Sequence, residues 1–287
     1  MLIAHEAPLQ IMDKIQSITD YDYCLVHLLD ENETYRDFFF KAKENGRRII
    51  MDCSTYELGH SYDWEKYFDW VTKLQPDEYI IPDVFQDKTA NFESFEKFLT
   101  TFPTHMIPSK RVGVIQGTSY EELVESYKFM ADQADKVAIS FGYDYFWQQA
   151  LEQDLLEDDP AINALDVKTE RKPQAYSMGR YNLINRFIDD GIIDYHKKHH
   201  LLGCGTPTEF WTYGKHPDRY RYSFIESIDT SHPVVAGFFN LDYYNQINTV
   251  TKRTEKIVDI FDEPVSDNQW STIESNVKFF KKNILCQ

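Results

Sequence analysis

The sequence predicts an α/β fold, a (β/α)8 TIM barrel, on three observations. Short apolar runs recur along the 287-residue chain, and their ends lie 31 residues apart from Asp52 to Asp83, 33 apart from Asp83 to Gln116 and 26 apart from Gly203 to Asp229. This spacing fits one strand, one crossover helix and their loops. The segments between the runs carry the apolar spacing of helices. Several runs also end on a polar residue or glycine, as strands do where their C-terminal ends line the pocket of a barrel.

The apolar runs supply the predicted strands. Five of them end on a polar residue or glycine: RRIIMD at Asp52, YIIPD at Asp83, RVGVIQG at Gln116 and Gly117, HHLLGCG at Gly203 and Gly205, and YSFIESID at Asp229. DYCLVHLL at 22–29 and KVAISFG at 136–142 add further strands. For the last strand the sequence leaves two choices open, LIA near the start or VVAGFF at 234–239.

Helices are predicted between these strands. In NFESFEKFLT the apolar residues fall on one helical face. Ser119 and Glu122 have the spacing of a capping box at the start of the next helix. Residues 143–175 are long for one connection and predict a lid inserted over the pocket, and residues 248–287 predict a C-terminal helical appendage. The whole chain, residues 1–287, is predicted to form one domain.

The composition limits the partners. A formal net charge of −17 and a pI near 4.9 argue against indiscriminate binding to polyanions, because such binding depends on Lys and Arg contacts to phosphate. The basic residues are nevertheless clustered, which keeps a local positive face open. Candidate contacts to a nucleic-acid backbone are Arg171, Arg180, Lys197, Lys198, Arg219 and Arg221. The adjacent His199 and His200 point to opposite sides of a strand and are expected to be solvated or to face phosphate.

Cysteine and histidine usage predicts neither a disulfide framework nor a metal site. Cys24, Cys53, Cys204 and Cys286 form no CxxC pair and are expected to be reduced thiols. Apart from the adjacent histidines, no HxH or HxxxH cluster stands at a strand end, which disfavours a metal-dependent hydrolase. No apolar stretch reaches the roughly 18 residues that span a bilayer, so a soluble, cytoplasmic protein is expected.

The strand-end residues form the candidate site. An aspartate after a strand most simply accepts hydrogen bonds in a turn or caps the next helix. As a group, however, Asp52, Asp83 and Asp229 end parallel strands of one barrel and are expected to converge on its pocket. The amide of Gln116 can donate and accept hydrogen bonds at once, which suits recognition of a nucleobase edge. Carboxylates near a sugar and donors near a base both stabilise cleavage of an N-glycosidic bond.

The order of the motifs MDCSTYELG, PDVFQD, GVIQG, SFG, LLGCGTP and SIDTSHP resembles the tRNA-guanine transglycosylase superfamily, over roughly residues 45–233. The chain is most similar to the phage and bacterial members that place 7-deazaguanines in DNA. The resemblance implies that Asp229 is the nucleophile, which attacks the anomeric carbon of the target guanosine and holds the sugar covalently. It also implies that Asp52 is the general acid/base for the departing and incoming bases.

The resemblance further implies how the base is bound. Asp83 would accept hydrogen bonds from the N–H groups of the base edge, and Gln116 and Gly117 would donate to its carbonyl. The implied partners are DNA, with tRNA as the alternative, and a free 7-deazaguanine, such as the 7-cyano form, as the second substrate. A phage-encoded protein of this kind would act in the host cytoplasm.

The faces of the base have implied contacts as well. Tyr56 and Leu202, the latter beside Gly203, occupy the positions that sandwich the base. Gly142, in SFG, corresponds to the loop that closes over the exocyclic substituent. Base exchange of this kind needs no ATP and no redox cofactor, so none is expected.

One departure from the RNA-modifying members bears on the substrate. Those members carry a Cys-rich zinc site beyond the nucleophile, whereas the only cysteine after Asp229 is Cys286, so no zinc subdomain and no metal are expected. This favours DNA over tRNA. Two alternative functions stay open: an N-glycoside hydrolase that admits water, and a catalytically silent partner subunit that binds nucleic acid. Assembly into a homo-oligomer is also left open.

Overall fold

The computed structural model describes residues 1–152, 165–203, 206–214, 216–218, 220–246 and 255–284. Eight parallel strands form a nearly closed barrel with helices between them, which confirms the predicted (β/α)8 fold. The strands are β1 (Leu2–Ala4), β2 (Asp22–Leu25), β3 (Ile49–Asp52), β4 (Glu78–Ile80), β5 (Lys110–Val114), β6 (Lys136–Ser140), β7 (Lys198–Leu202) and β8 (Ile225–Asp229). Their order around the barrel is β1, β8, β7, β6, β5, β4, β3, β2.

β1 and β2 are the two end strands of the sheet. Residues of the loop before β2 form hydrogen bonds with β1 where the barrel closes. The N–H of Asp20 donates to the carbonyl of Ile3 at 2.9 Å, and the Asp20 carboxylate accepts from the N–H of Ile3 at 3.0 Å. The hydroxyl of Thr19 donates to the same carbonyl at 2.6 Å. The polar backbone groups of Ile3 are thus satisfied by residues just before β2.

The helices lie between the strands along the chain. They are α1 (Met12–Gln16), α2 (Val26–Glu31), α3 (Glu33–Glu44), α4 (Thr55–Leu58), α5 (Trp64–Leu74), α6 (Lys88–Thr101), α7 (Tyr120–Gln133), α8 (Asp144–Glu152), α9 (Leu165–Asp189), α10 (Thr208–Gly214), α11 (His232–Phe238), α12 (Tyr243–Gln246) and α13 (Asp267–Ile284), with 3-10 turns at Leu9–Ile11, Thr104–Met106 and Ile257–Ile260. None of the described helices is both long enough and apolar enough to cross a membrane.

Two predicted helices form as expected. The apolar face of α6 is buried through Phe95 and Phe98. The capping box of α7 is confirmed, because Ser119 accepts from the N–H of Glu122 at 3.2 Å while the Glu122 carboxylate accepts from the N–H of Thr118 at 2.8 Å. Both helices follow strands that carry pocket residues at their ends, so they fix the geometry of the rim.

LIA near the start, and not VVAGFF, is the eighth strand. β1 pairs with β8 in parallel, whereas residues 234–239 belong largely to α11, which has Pro233 in its first turn. α11 packs closely against α13, because a Cβ on Gly237 would stand 2.6 Å from the backbone of Ile273. The apolar run is therefore a buried helix.

Three predicted segments differ in detail. The strand predicted at 22–29 ends at Leu25, and α2 begins at the next residue. The predicted lid at 143–175 contains α8 and the first part of α9, and its residues 153–164 lie outside the described residues. The predicted appendage at 248–287 contains α13, and its residues 248–254 and 285–287 lie outside the described residues.

Candidate functional site

The C-terminal ends of the strands surround a cavity of about 320 Å³. Small-molecule pockets typically measure roughly 300–1,000 Å³, so the cavity is sized for one small ligand. The structure brings the following predicted residues into its lining: Asp52, Tyr56, Asp83, Gln116, Leu202, Gly203 and Asp229. Tyr23, Phe85, Ser140 and Phe141 line the cavity as well. Carboxylates that are far apart in the sequence therefore share one pocket.

Asp229 ends β8 and has two hydrogen-bond partners in the pocket. Nε2 of His200 lies 2.9 Å from its Oδ1, and the N–H of Gly203 donates to its Oδ2 at 3.2 Å. Gly203 has a φ of +64°, and a Cβ there would stand 2.5 Å from the ring of Phe141. Only glycine brings a backbone N–H to the carboxylate in this conformation without a clash.

Asp52 ends β3 in a different environment. The hydroxyl of Tyr23 donates to one of its carboxylate oxygens, and the N–H of Ser54 donates to the other. Burial, reinforced by the nearby carboxylate of Glu57, raises the pKa of Asp52 well above its usual value, although both hydrogen bonds oppose the rise. A carboxyl group with a raised pKa can hold a proton and deliver it, which is what a general acid must do.

Asp83 and Gln116 form a hydrogen-bonded wall beside these groups. Nε2 of Gln116 donates to Oδ2 of Asp83 at 2.6 Å. The N–H of Gln86 donates to Oε1 of Gln116 at 2.9 Å, which fixes the orientation of the amide. Burial raises the pKa of Asp83, against hydrogen bonds from Thr55 and Gln116. The wall offers amide donors and carboxylate acceptors to the edge of a planar ligand.

Tyr56 and Leu202 also line the pocket. The Tyr56 side chain is 51% exposed, and its ring lies edge-on to Phe141 with 5.7 Å between centroids. The ammonium of Lys256 lies 4.4 Å from the Tyr56 ring centroid and donates to the Tyr56 carbonyl at 2.8 Å. These contacts hold the aromatic ring at the mouth of the pocket, where it can cover a flat ligand.

Arg180 is wrong as a nucleic-acid contact. The side chain is fully buried and forms a bidentate ion pair with Glu209, at 2.6 and 3.0 Å. It also donates to the carbonyls of Leu202 at 2.8 Å and Gly203 at 2.9 Å. A guanidinium that is sequestered in this way cannot reach a phosphate, but it does fix the backbone that presents the Gly203 N–H to the pocket.

Three further basic candidates lie away from the pocket. Lys197 and Lys198 stand at the start of β7, and Arg221 precedes β8 and pairs with a carboxylate of α9. Because the strands are parallel, these residues lie at the end of the barrel opposite the pocket, which argues against their contact with a strand bound there. The side chain of Arg171, and residue Arg219, lie outside the described residues.

Two predicted glycines are not among the described residues that line the cavity. A Cβ on Gly117 would stand 2.9 Å from the Cβ of Glu122, so Gly117 permits close packing against α7. The N–H of Gly142 donates to the hydroxyl of Ser140 at 3.4 Å. Ser140 and Phe141, and not Gly142, present the β6 loop to the cavity.

Sequence reasoning missed Tyr23 and His200, which bond to the candidate catalytic carboxylates. Their rings are stacked, with centroids 6.0 Å apart. Each stands two residues before the end of its strand, and a polar residue at that inward position is the signal that could have found them. The expectation of solvated histidines is wrong, because His199 and His200 are both fully buried. His199 contacts Tyr127 instead of the pocket.

No protein-family model matches the chain, and no curated protein matches it significantly. Within the described ranges, no group of three or more His, Cys, Asp or Glu side chains is arranged to hold a metal ion.

Proposed function

We propose that the protein is a base-exchange transglycosylase, which replaces guanine in DNA with a 7-deazaguanine such as the 7-cyano form. One observation carries the proposal: a single pocket combines the carboxylates of Asp52 and Asp229 with the hydrogen-bonding wall of Asp83 and Gln116. A pair of carboxylates suits double displacement at an anomeric carbon, and the adjoining wall suits a purine edge.

The first displacement releases guanine. An oxygen of Asp229 forms a bond to C1′ of the target nucleoside while the bond from C1′ to the base nitrogen breaks. The departing base takes the electron pair of that bond and receives a proton from Asp52. The raised pKa of Asp52 supports this role, because a carboxyl group with a raised pKa stays protonated to higher pH and can transfer its proton to the departing base.

The second displacement inserts the new base. The free deazaguanine loses its ring N–H proton to the Asp52 carboxylate and attacks C1′, and the ester bond to Asp229 breaks with its electron pair returning to the carboxylate. Both steps invert the anomeric carbon, so the exchange retains configuration overall. Atoms and charges balance without a cofactor.

The pocket wall would select the base and stabilise the charge that develops on it. The Gln116 amide has a second N–H, besides the one bonded to Asp83, that can donate to a base carbonyl. Asp83 has acceptor capacity for base N–H groups. Tyr56 and Leu202 would contact the two faces of the ring. Donors aimed at a leaving base lower the barrier because they are already oriented when charge appears.

The choice of DNA depends on the sequence resemblance. A guanine in a duplex would have to leave the stack to enter the cavity, at a cost of a few kcal/mol. Two exposed aromatic side chains at the mouth support such extrusion: Tyr56 is 51% and Phe85 45% exposed, and both line the cavity. Aromatic rings of this kind can stack on the flipped base or its neighbours.

The test is an exchange assay with purified protein and 7-cyano-7-deazaguanine. Guanine-containing duplex DNA, single-stranded DNA and tRNA are incubated in parallel, and their nucleosides are analysed by mass spectrometry. The proposal expects the deazaguanine nucleoside in DNA, its loss with Asp229→Asn, and full activity of the exposed control Asp132→Asn. Incorporation only into tRNA would reassign the substrate. Guanine release without incorporation would indicate a hydrolase, and no reaction with any substrate would refute the proposal.

A further inference from the structure

A hydrogen-bonded chain of polar side chains runs through the barrel interior below Asp229. Most TIM barrels fill this space with branched apolar residues. Here the interior holds a set that we call the polar column: Glu78, Lys136, Glu226, Ser227 and His200. It begins at the N-terminal end of the barrel, the floor, and ends at the pocket. Side chains buried in such a chain require a full set of partners, so each hydrogen has a defined direction.

A bulge in β8 builds the middle of the polar column. His199 pairs with Ile225, and His200 pairs with Ser227, which leaves Glu226 as an extra residue. Successive residues of a regular strand point to opposite faces. The bulge instead lets Glu226 and Ser227 both bond to the ammonium of Lys136, at 2.9 and 2.6 Å. Bulges commonly re-aim side chains beside active sites.

The lysine fixes the direction of the next hydrogen bonds. The Lys136 ammonium only donates, so the hydroxyl oxygen of Ser227 accepts from it. The Ser227 hydroxyl hydrogen is then available to Nδ1 of His200, 2.9 Å away. A neutral imidazole whose Nδ1 accepts carries its hydrogen on Nε2. That nitrogen faces Oδ1 of Asp229 at 2.9 Å.

We propose that His200 is the positioning residue for the nucleophile, and this inference rests on the proposed function. Held by Ser227 as the neutral Nε2–H tautomer, it donates to Oδ1 of Asp229 and leaves Oδ2 as the oxygen that attacks C1′. The N–H of Gly203 restrains Oδ2 from one side. His200 is not among the described residues that line the cavity, so it acts through Asp229.

The groups around His200 support its neutral state. The ring is fully buried, and burial lowers its pKa, although the bond to Asp229 on β8 opposes this. Lys136 on β6 lowers the pKa further, while Glu78 on β4 raises it. Tyr23 on β2 covers one face of the ring. A neutral donor orients the carboxylate oxygen without adding a positive charge beside it.

The tautomer can be measured in the absence of any substrate. Protein labelled with 15N-histidine is studied by NMR at neutral pH, and the His200 signals are assigned by their loss in His200→Gln. We expect Nε2 to be protonated and Nδ1 unprotonated in the wild type. We expect Ser227→Ala to remove this single defined state. A protonated Nδ1 in the wild type, whether in the other tautomer or in an imidazolium, would overturn the proposal.

Kinetics test the positioning role. His200→Leu should lower kcat for exchange on the order of 10²-fold, because misplacing a reacting group by about 1 Å has that effect. The KM for DNA should not change, since His200 contacts no substrate. His200→Gln should recover most of the rate, because its amide N–H can reach Oδ1 in place of Nε2–H. The matched control His199→Leu removes the neighbouring buried histidine, which faces Tyr127, and should keep the wild-type kcat.

The NMR and kinetic experiments distinguish a failure of the positioning role from a failure of the proposed function. If the wild type exchanges no base in any substrate, the proposed function fails, and NMR still decides the tautomer. If exchange occurs and His200→Leu matches His199→Leu in kcat, the positioning role is refuted. Equal kcat for His200→Gln and His200→Leu would also refute it, because the hydrogen bond would then have no effect.

Discussion

The two ends of the barrel hold buried carboxylates in opposite electrostatic settings. At the floor, Glu78 bonds to the ammonium of Lys136 at 2.9 Å and to the guanidinium of Arg48. Glu226 contacts the same two cations, at 2.9 and 2.7 Å. Burial on its own raises the pKa of a carboxyl group, but these cations outweigh it. They lower the pKa of Glu78 and bring the pKa of Glu226 to about 2.

In the pocket the hydrogen-bond partners are uncharged. Asp52 accepts from Tyr23 and Ser54, and Asp83 accepts from Gln116. Burial is the largest influence on both groups, and it raises the pKa of each. At these four carboxylates, cationic partners accompany a lowered pKa and uncharged hydrogen-bond partners accompany a raised one.

The largest effect is expected at Asp229. Asp229→Asn should lower exchange by on the order of 10⁴-fold or more, because an amide cannot form the ester intermediate and nucleophile removal has effects of this size. The assay is incorporation of the deazaguanine under single-turnover conditions. The free energy of unfolding should stay within about 1 kcal/mol of wild type, since Asn keeps an acceptor for His200. A variant retaining a tenth of the wild-type rate would contradict the assignment.

At the floor, the largest expected effect is a loss of folding stability. Lys136→Met leaves Glu78 buried beside only one remaining cation, and breaking such a pair costs about 3–5 kcal/mol. Urea unfolding measures the change. The control Lys128→Met, on the exposed side of α7, should stay within about 0.5 kcal/mol of wild type. Combining Lys136→Met with Glu78→Gln should recover part of the loss; equal stability of the two lysine variants would contradict the floor's role.

Asp52→Asn should slow guanine release by roughly 10²- to 10³-fold, the usual range for a general acid. Because the pKa of Asp52 is raised, its acid form persists to higher pH and is lost as pH rises through the folded-state pKa. The wild-type rate of guanine release should therefore fall with rising pH, and the residual rate of the variant should not follow that limb. Single-turnover release across a pH series checks this. Identical pH profiles would assign the proton to another group.

The smallest effects are opposite pH dependences of stability at the two ends. The raised pKa of Asp52 contributes stability at acidic pH that is lost as pH rises through the folded-state value. The lowered pKa of Glu226 contributes stability above the unfolded-state pKa that is lost as pH falls towards about 2. Urea unfolding at several pH values should show that the free energy of unfolding of Asp52→Asn increases relative to that of the wild type as pH rises. Glu226→Gln should lose about 1–3 kcal/mol at neutral pH and less in acid. The same trend for both variants would remove the distinction between the ends.

The strand-end residues of the pocket could be predicted because the apolar runs reveal where strands stop. Parallel strands end at one rim, so the position of Asp52 or Asp229 at the end of a run already implies a shared pocket. The choice between LIA and VVAGFF could not be made, because a short apolar run fits a strand and a buried helix equally well. The pairing of β1 with β8, and the packing of Gly237 against Ile273, are contacts between elements distant in the sequence.

The errors share a physical cause. Arg180 looks like a surface cation until Glu209, 29 residues later, is found beside it in the interior. His200 reads as one of two solvated histidines, because the sequence does not show the bulge that aligns it with Ser227. Both residues depend on pairings between elements that form only when the barrel closes. Residues at strand ends are predictable from local pattern, whereas their supporting contacts are set by tertiary structure.

The most direct measurement is the identity of the residue that becomes covalently attached to the sugar. The protein is mixed with a guanine-containing oligonucleotide, quenched in denaturant, digested and mapped by mass spectrometry. We expect a sugar-linked adduct on the peptide that contains Asp229. We also expect the adduct to be absent from Asp229→Asn and discharged when 7-cyano-7-deazaguanine is added before the quench. An adduct on Asp52, or the same adduct in the Asp229→Asn variant, would contradict Asp229 as the nucleophile.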